Sequence, residues 1–108
     1  MVLEIAQIVK KRYSAFIQGS SGLEAHLRGR GIDTLLIGGT ATHVCCESTA
    51  RDAMMLNFKV VMVADVLATY DDATQNASLA AFYSNFGDVQ TVEEAIASLR
   101  RGLEQAAA

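Results

Sequence analysis

The stretch Asp33-Thr34-Leu35-Leu36-Ile37-Gly38-Gly39-Thr40-Ala41-Thr42-His43-Val44-Cys45-Cys46-Glu47-Ser48-Thr49-Ala50-Arg51-Asp52-Ala53 decides the fold of this chain. Its first part is a short apolar run closed by two glycines, the pattern of a fully buried strand. In its second part Cys46, Ala50, Ala53 and Met54 recur at helical spacing, so the apolar period passes from strand to helix across the turn at 39–44. The first turn of a helix offers unpaired backbone N–H groups and the positive end of the dipole, and both favour a thiolate over a thiol. Cys45 occupies that position and is the first candidate for chemistry. Taken alone, the position also suits a small core residue, and Cys46, on the core-facing stripe, reads that way.

Working outward, residues 3–10 are rich in Ile and Val and alternate in part, which predicts a strand running into a loop at 12–20. Ser21-Gly22-Leu23-Glu24 has capping-box spacing, with Leu23 and Leu27 on one helical face and Gly31 placed to end the helix. The helix of Cys45 is expected to run to about residue 57. Lys59-Val60-Val61-Met62-Val63-Ala64-Asp65 reads as a strand ended by an acid. A helix with a small-residue face (Ala77, Ala80, Ala81) follows the cap-like Asp72-Ala73-Thr74-Gln75. Residues 88–90 form a short strand, and Thr91-Val92-Glu93-Glu94 opens a last helix carrying Ala95, Ile96, Leu99 and Leu103. Four strand-then-helix units imply an α/β fold with a mainly parallel sheet covered on both faces. Ligands of such sheets gather at the carboxyl ends of the strands, where Lys10, the turn at 39–45 and Asp65 are expected to fall.

Composition narrows the function classes. A chain of 108 residues with 51% hydrophobic content makes one small domain. Its formal net charge of −3 argues against a nucleic-acid surface, and the basic run Lys10-Lys11-Arg12 is too short to change that. No apolar run reaches the roughly 18 residues of a membrane span, and no cationic leader precedes an apolar core. Adjacent cysteines do not build a disulfide framework, so a reducing cytoplasm is expected. No His, Cys and Asp cluster has metal spacing and no G-x-G-x-x-G follows a strand, so neither a metal nor another cofactor is expected.

The strings Lys10-Lys11-Arg12-Tyr13-Ser14-Ala15-Phe16, Leu27-Arg28-Gly29-Arg30-Gly31-Ile32 and Gly39-Thr40-Ala41-Thr42-His43-Val44-Cys45, followed by Glu47-Ser48-Thr49-Ala50-Arg51-Asp52-Ala53, resemble the isochorismatase-like cysteine hydrolases. Nicotinamidases, N-carbamoylsarcosine amidases and ureidoacrylate amidohydrolases belong to that superfamily. The resemblance implies a Rossmann-like three-layer fold, of which residues 1–108 would be the C-terminal part, the N-terminal part being missing. It also implies hydrolysis of a C–N amide, carbamoyl or ureido bond of a small molecule through a Cys thioester, within an Asp-Lys-Cys triad. Cys45 falls on the family nucleophile and Lys10 on the family lysine. The cis peptide of the family would be Thr40-Ala41, and its oxyanion hole the backbone N–H groups of Ala41 and Cys45. Tyr13 and Phe16 either line the pocket or pack in the core, His43 either lines the pocket or caps the helix, and a homo-oligomer is expected. The family aspartate has no counterpart before Lys10, where Glu4 is the one acid. The alternative is therefore an inactive assembly module whose sheet edge pairs with another chain. Lys11 stands where relatives often carry proline, and the loop at 18–22 is about two residues longer than in ureidoacrylate-type relatives.

Overall fold

A computed structural model describes residues 4–107. In chain order the elements are α1 (Leu23–Gly29), β1 (Thr34–Thr40), a π-helical turn (Thr42–Cys46), α2 (Glu47–Met55), β2 (Lys59–Ala68), α3 (Asp72–Asn85), β3 (Asp88–Gln90) and α4 (Val92–Ala107). The three strands form one parallel sheet in the order β1-β2-β3. Leu35 pairs with Val60 and Ile37 with Met62, so these four side chains share one face. With Phe16, Ala50, Ala53, Phe58 and Phe82 they build the core beneath α2 and α3. Leu36 pairs with Val61 on the other face, where α4 lies across them. The result is a three-layer α/β arrangement.

Local chemistry sets the element ends. After α1, Gly31 takes φ +68 while its N–H donates to the Arg28 carbonyl and that of Ile32 to the Leu27 carbonyl. This is the Schellman pattern, in which only glycine adopts the left-handed position without a Cβ penalty. Asn57 (φ 72) plays the same part after α2, with Phe58 N–H bonded to the Ala53 carbonyl. At the start of α4 the capping box closes in both directions: Glu94 N–H donates to Thr91 Oγ1 at 3.1 Å, and Thr91 N–H to Glu94 Oε1 at 2.9 Å. Thr91→Ala is expected to cost about 1 kcal/mol in a urea melt, since one helix donor loses its acceptor.

Several expectations are corrected. Residues 4–10 form no strand, and Leu3 lies outside the described residues. A strand needs a ladder partner; Ile5 and Val9 are instead 89% and 79% exposed, and Glu4 is held by Arg30. The sheet accordingly has three strands rather than four. β1 is not fully buried either: it pairs with β2 alone and leaves Leu36 44% exposed. Ser21 does not close a capping box; its Oγ accepts from Leu23 N–H and donates to the Ala15 carbonyl, and Gly22 is the N-cap. The cap of α3 is Asp71, one residue earlier than expected, accepting from Thr74 N–H at 2.7 Å. β2 does not stop at Asp65 but runs on to Ala68, because it bulges. Between Ile37↔Met62 and Gly39↔Leu67, β1 advances two residues while β2 advances five. Gly38 permits this: a Cβ there would stand 2.7 Å from Val66 Cγ2 and 3.1 Å from the Val66 carbonyl oxygen.

Candidate functional site

The turn that follows β1 carries the thiol. The Thr40-Ala41 peptide bond is cis, and Ala41 is the extended N-cap of the π-helical turn. The Ala41 carbonyl accepts from the N–H groups of Val44 (3.1 Å) and Cys46 (3.3 Å), which closes the turn around Cys45. Thr42 anchors it from below. Fully buried, its hydroxyl donates to Gln75 Oε1 at 2.7 Å, and Gln75 Nε2 donates in turn to the carbonyls of Ala64 (3.3 Å) and Leu67 (3.1 Å). One glutamine on α3 thus ties the thiol-bearing turn to the bulge of β2. Sequence reasoning missed this link, because Gln75 stands 33 residues from Thr42 and no local pattern couples them. Thr42→Val removes the donor but keeps the shape, leaving the part-buried Gln75 oxygen without that partner. A loss of about 1 to 3 kcal/mol is expected in chemical denaturation.

The two cysteines face different surroundings. Cys46 is buried, and burial pushes its thiol pKa up, with the adjacent Cys45 adding in the same direction. Cys45 is half-buried and opens on a cavity of about 510 Å³ that it shares with Lys10, Lys11, Arg12 and Tyr13. The segment bearing these cations is fastened by two buried serines. Ser20 Oγ donates to the Ser14 carbonyl at 2.6 Å and accepts from Arg12 N–H at 3.2 Å, and the Ser20 carbonyl accepts from Lys11 N–H at 2.9 Å. Ser14 Oγ accepts from the N–H groups of Phe16 and Ile17. Lys10 Nζ donates to the Arg12 carbonyl at 2.9 Å.

The structure therefore brings Cys45, Lys10 and Tyr13 to one concavity and places the other expected residues elsewhere. Phe16 does not line that cavity: at 8% exposure it packs on Phe58, with ring centroids 5.4 Å apart, because an aromatic ring here fills the core under α2. His43 lies over a separate hollow beside α3, its Nδ1 2.9 Å from Thr69 Oγ1 and its ring edge-on to Tyr70. Asp65 does not share the edge with Cys45; inside the bulge, it accepts from the Val92 N–H at 2.8 Å and so holds the start of α4. Glu47 is engaged by Arg51 at 2.6 Å and by the Ser78 hydroxyl. Among the described residues no group of three or more His, Cys, Asp or Glu side chains is placed to hold a metal ion. Nor is any helix long and apolar enough to cross a membrane.

Fold and site together define a class: a parallel α/β protein with a half-exposed thiol on the turn after a strand of its sheet and a lysine across a cavity from it. The Isochorismatase domain matches residues 4–94, and the chain belongs to that family. It is 34% identical over 87 residues to the uncharacterized isochorismatase family protein YwoC of Bacillus subtilis, covering 81% of this chain and 45% of that protein. It is 43% identical over 94 residues to the ureidoacrylate amidohydrolase RutB of Variovorax paradoxus, covering 84% of this chain and 36% of that one. A cysteine hydrolase from Pseudomonas syringae pv. phaseolicola superimposes with a TM-score of 0.81 at 32% identity, over 87% of this chain and 48% of the other. The nicotinamidase of Staphylococcus aureus does so with a TM-score of 0.71 at 30% identity, over 77% and 53%. The chain spans less than half the length of the two sequence relatives named.

Proposed function

We propose that Cys45 is the acyl-accepting nucleophile of a cysteine hydrolase that cleaves a C–N amide, carbamoyl or ureido bond of a small molecule, with Lys10 beside it. The observation that carries this reading is the single cavity shared by Cys45 and Lys10. The named ureidoacrylate amidohydrolase and nicotinamidase relatives support the bond class. In this reaction the Cys45 sulfur bonds to the carbonyl carbon, the C–N bond breaks, and the thiol proton leaves on the amine. The N–H groups of Ala41 and Cys45 hold the oxyanion, each such donor being worth about 2.7 to 4 kcal/mol in the transition state. Water then releases the acid and restores the thiol. Lys10 stabilises the negative charge on sulfur. The proton carrier in this scheme is a carboxylate, and the residues lining the cavity include none.

The test uses an activated ester, whose aryloxide leaves without proton transfer, alongside small amides and ureido acids. An aryl acetate is expected to leave an acetyl thioester on Cys45, read by peptide mass spectrometry, and one mole of aryloxide per mole of chain. A folded protein that forms no adduct at Cys45 overturns the reading.

A second reading, assembly, is favoured by the free edge of β1 and the adjoining apolar groove of about 650 Å³ between Leu36, Val61, Ala95, Leu99 and Leu103. Here two copies cover each other's β1 face. Light scattering should then give twice the 11.6 kDa chain mass, returning to one chain in Leu36→Lys; a monomer throughout removes this reading.

A further inference from the structure

From the cation cluster facing the thiol, we infer that Lys11 and Arg12 form an anion subsite, so that the acyl compound taken by Cys45 carries a carboxylate. This inference rests on the nucleophile reading above and names its substrate class. Three of the five residues lining the cavity are cations, Lys10, Lys11 and Arg12, and none is an acid. The chain as a whole carries a net charge of −3, so this concentration of positive charge runs against its overall balance.

The cations are also unspent. The ion pairs among the described residues are Arg28 with Glu24, Arg30 with Glu4 and Arg51 with Glu47, and none involves this cluster. Lys10 and Arg12 donate only to the carbonyls of Arg12 and Lys11 within the segment itself, which leaves their formal charges without a counter-ion. Consecutive like charges repel, and a free segment would splay them apart. Here the backbone N–H groups of both Lys11 and Arg12 are fixed on Ser20, which is 2% exposed. With this backbone fixed, three exposed cations without a counter-ion line the cavity on which Cys45 opens, and an entering anion meets a positive field there. A guanidinium presents a planar fork that matches the two oxygens of a carboxylate, and Lys11 adds a second point charge.

The experiment compares two alkylating agents of equal size at Cys45, anionic iodoacetate and neutral iodoacetamide, followed by peptide mass spectrometry that separates Cys45 from Cys46. A small neutral cysteine derivative, N-acetylcysteine amide, supplies the free-thiol ratio of the two rates. At low salt the iodoacetate-to-iodoacetamide ratio at Cys45 is expected to exceed the free-thiol ratio by about tenfold or more. High salt should collapse the difference. Arg12→Gln and Lys11→Gln should each lower the ratio, and the double variant should remove most of the excess, the remainder being the attraction of Lys10. Neither substitution touches the backbone bonds to Ser20, and circular dichroism confirms that the variants fold.

A wild-type ratio equal to that of the free thiol overturns the subsite, and an excess that the double variant leaves undiminished overturns its assignment to Lys11 and Arg12. The nucleophile reading fails separately, by the absence of an acetyl adduct from the aryl acetate. The two ideas can therefore fall independently.

Discussion

Phe82→Ala should lower the unfolding free energy by about 3 to 5 kcal/mol, the range for deleting a fully buried aromatic ring. Phe82 has no exposed surface, sits in the core cluster with Val60 and Met62, and stacks near Phe86 at a centroid separation of 6.0 Å. It is the one large side chain of α3 that is fully buried, Leu79 packing against the same core only in part. Its loss leaves a cavity that the surrounding strands cannot collapse to fill, because they are tied into the ladder. A small domain has only about 5 to 15 kcal/mol of stability, so this variant should lose a large share of it. Urea denaturation followed by far-UV circular dichroism measures it, and a change below about 1 kcal/mol would mean that α3 does not hold the sheet as described.

The second large effect separates the two cysteines. If Cys45 is the nucleophile, Cys45→Ala should abolish the acetyl adduct and cut amide or ureide turnover on the order of 10⁴- to 10⁶-fold, as removal of a catalytic nucleophile does elsewhere. Cys46→Ala should leave the adduct on Cys45 intact and instead cost about 1 to 2 kcal/mol of stability, because Cys46 fills core space beside Ala50 and Ala53. Burial raises the Cys46 thiol pKa, so over the neutral range it stays protonated and is the slower of the pair to alkylate. Equal loss of adduct in both variants would mean that the turn, rather than one thiol, is what matters.

Much of the architecture is legible because its signals are local. The apolar runs mark where β1 and β2 lie, and the cap pair Thr91 and Glu94 sits within four residues. Gly31 marks the end of α1 because the left-handed position it takes is one that a side chain resists. The site is legible in the same way where its parts are near in sequence: Cys45 follows a strand end and precedes a helix. Lys11 and Arg12 escape notice, because a basic triplet looks like a solvated chain segment until Ser20, eight or nine positions on, is seen to hold its backbone.

What fails to show in the sequence fails for one reason, that it depends on a partner far along the chain. Residues 4–10 have strand composition, yet a strand is a pairing and no ladder reaches them. The bulge that carries β2 past Asp65 exists only because Gly38 of the neighbouring strand leaves room for Val66. Phe16 and His43 both stand within the family strings, but one is drawn into the core by Phe58 and the other to Thr69 and Tyr70.

The sequence by itself determined the alternation of strand and helix and put a thiol at their junction, because periodicity, glycine stops and helix caps act over a few residues. Only the tertiary structure decided that Lys11 and Arg12 join Lys10 at the cavity of that thiol. Bringing Lys10, Lys11 and Arg12 to Cys45 requires contacts across some thirty-five positions, set by the Ser14 and Ser20 clamp and by the packing of Phe16 beneath α2.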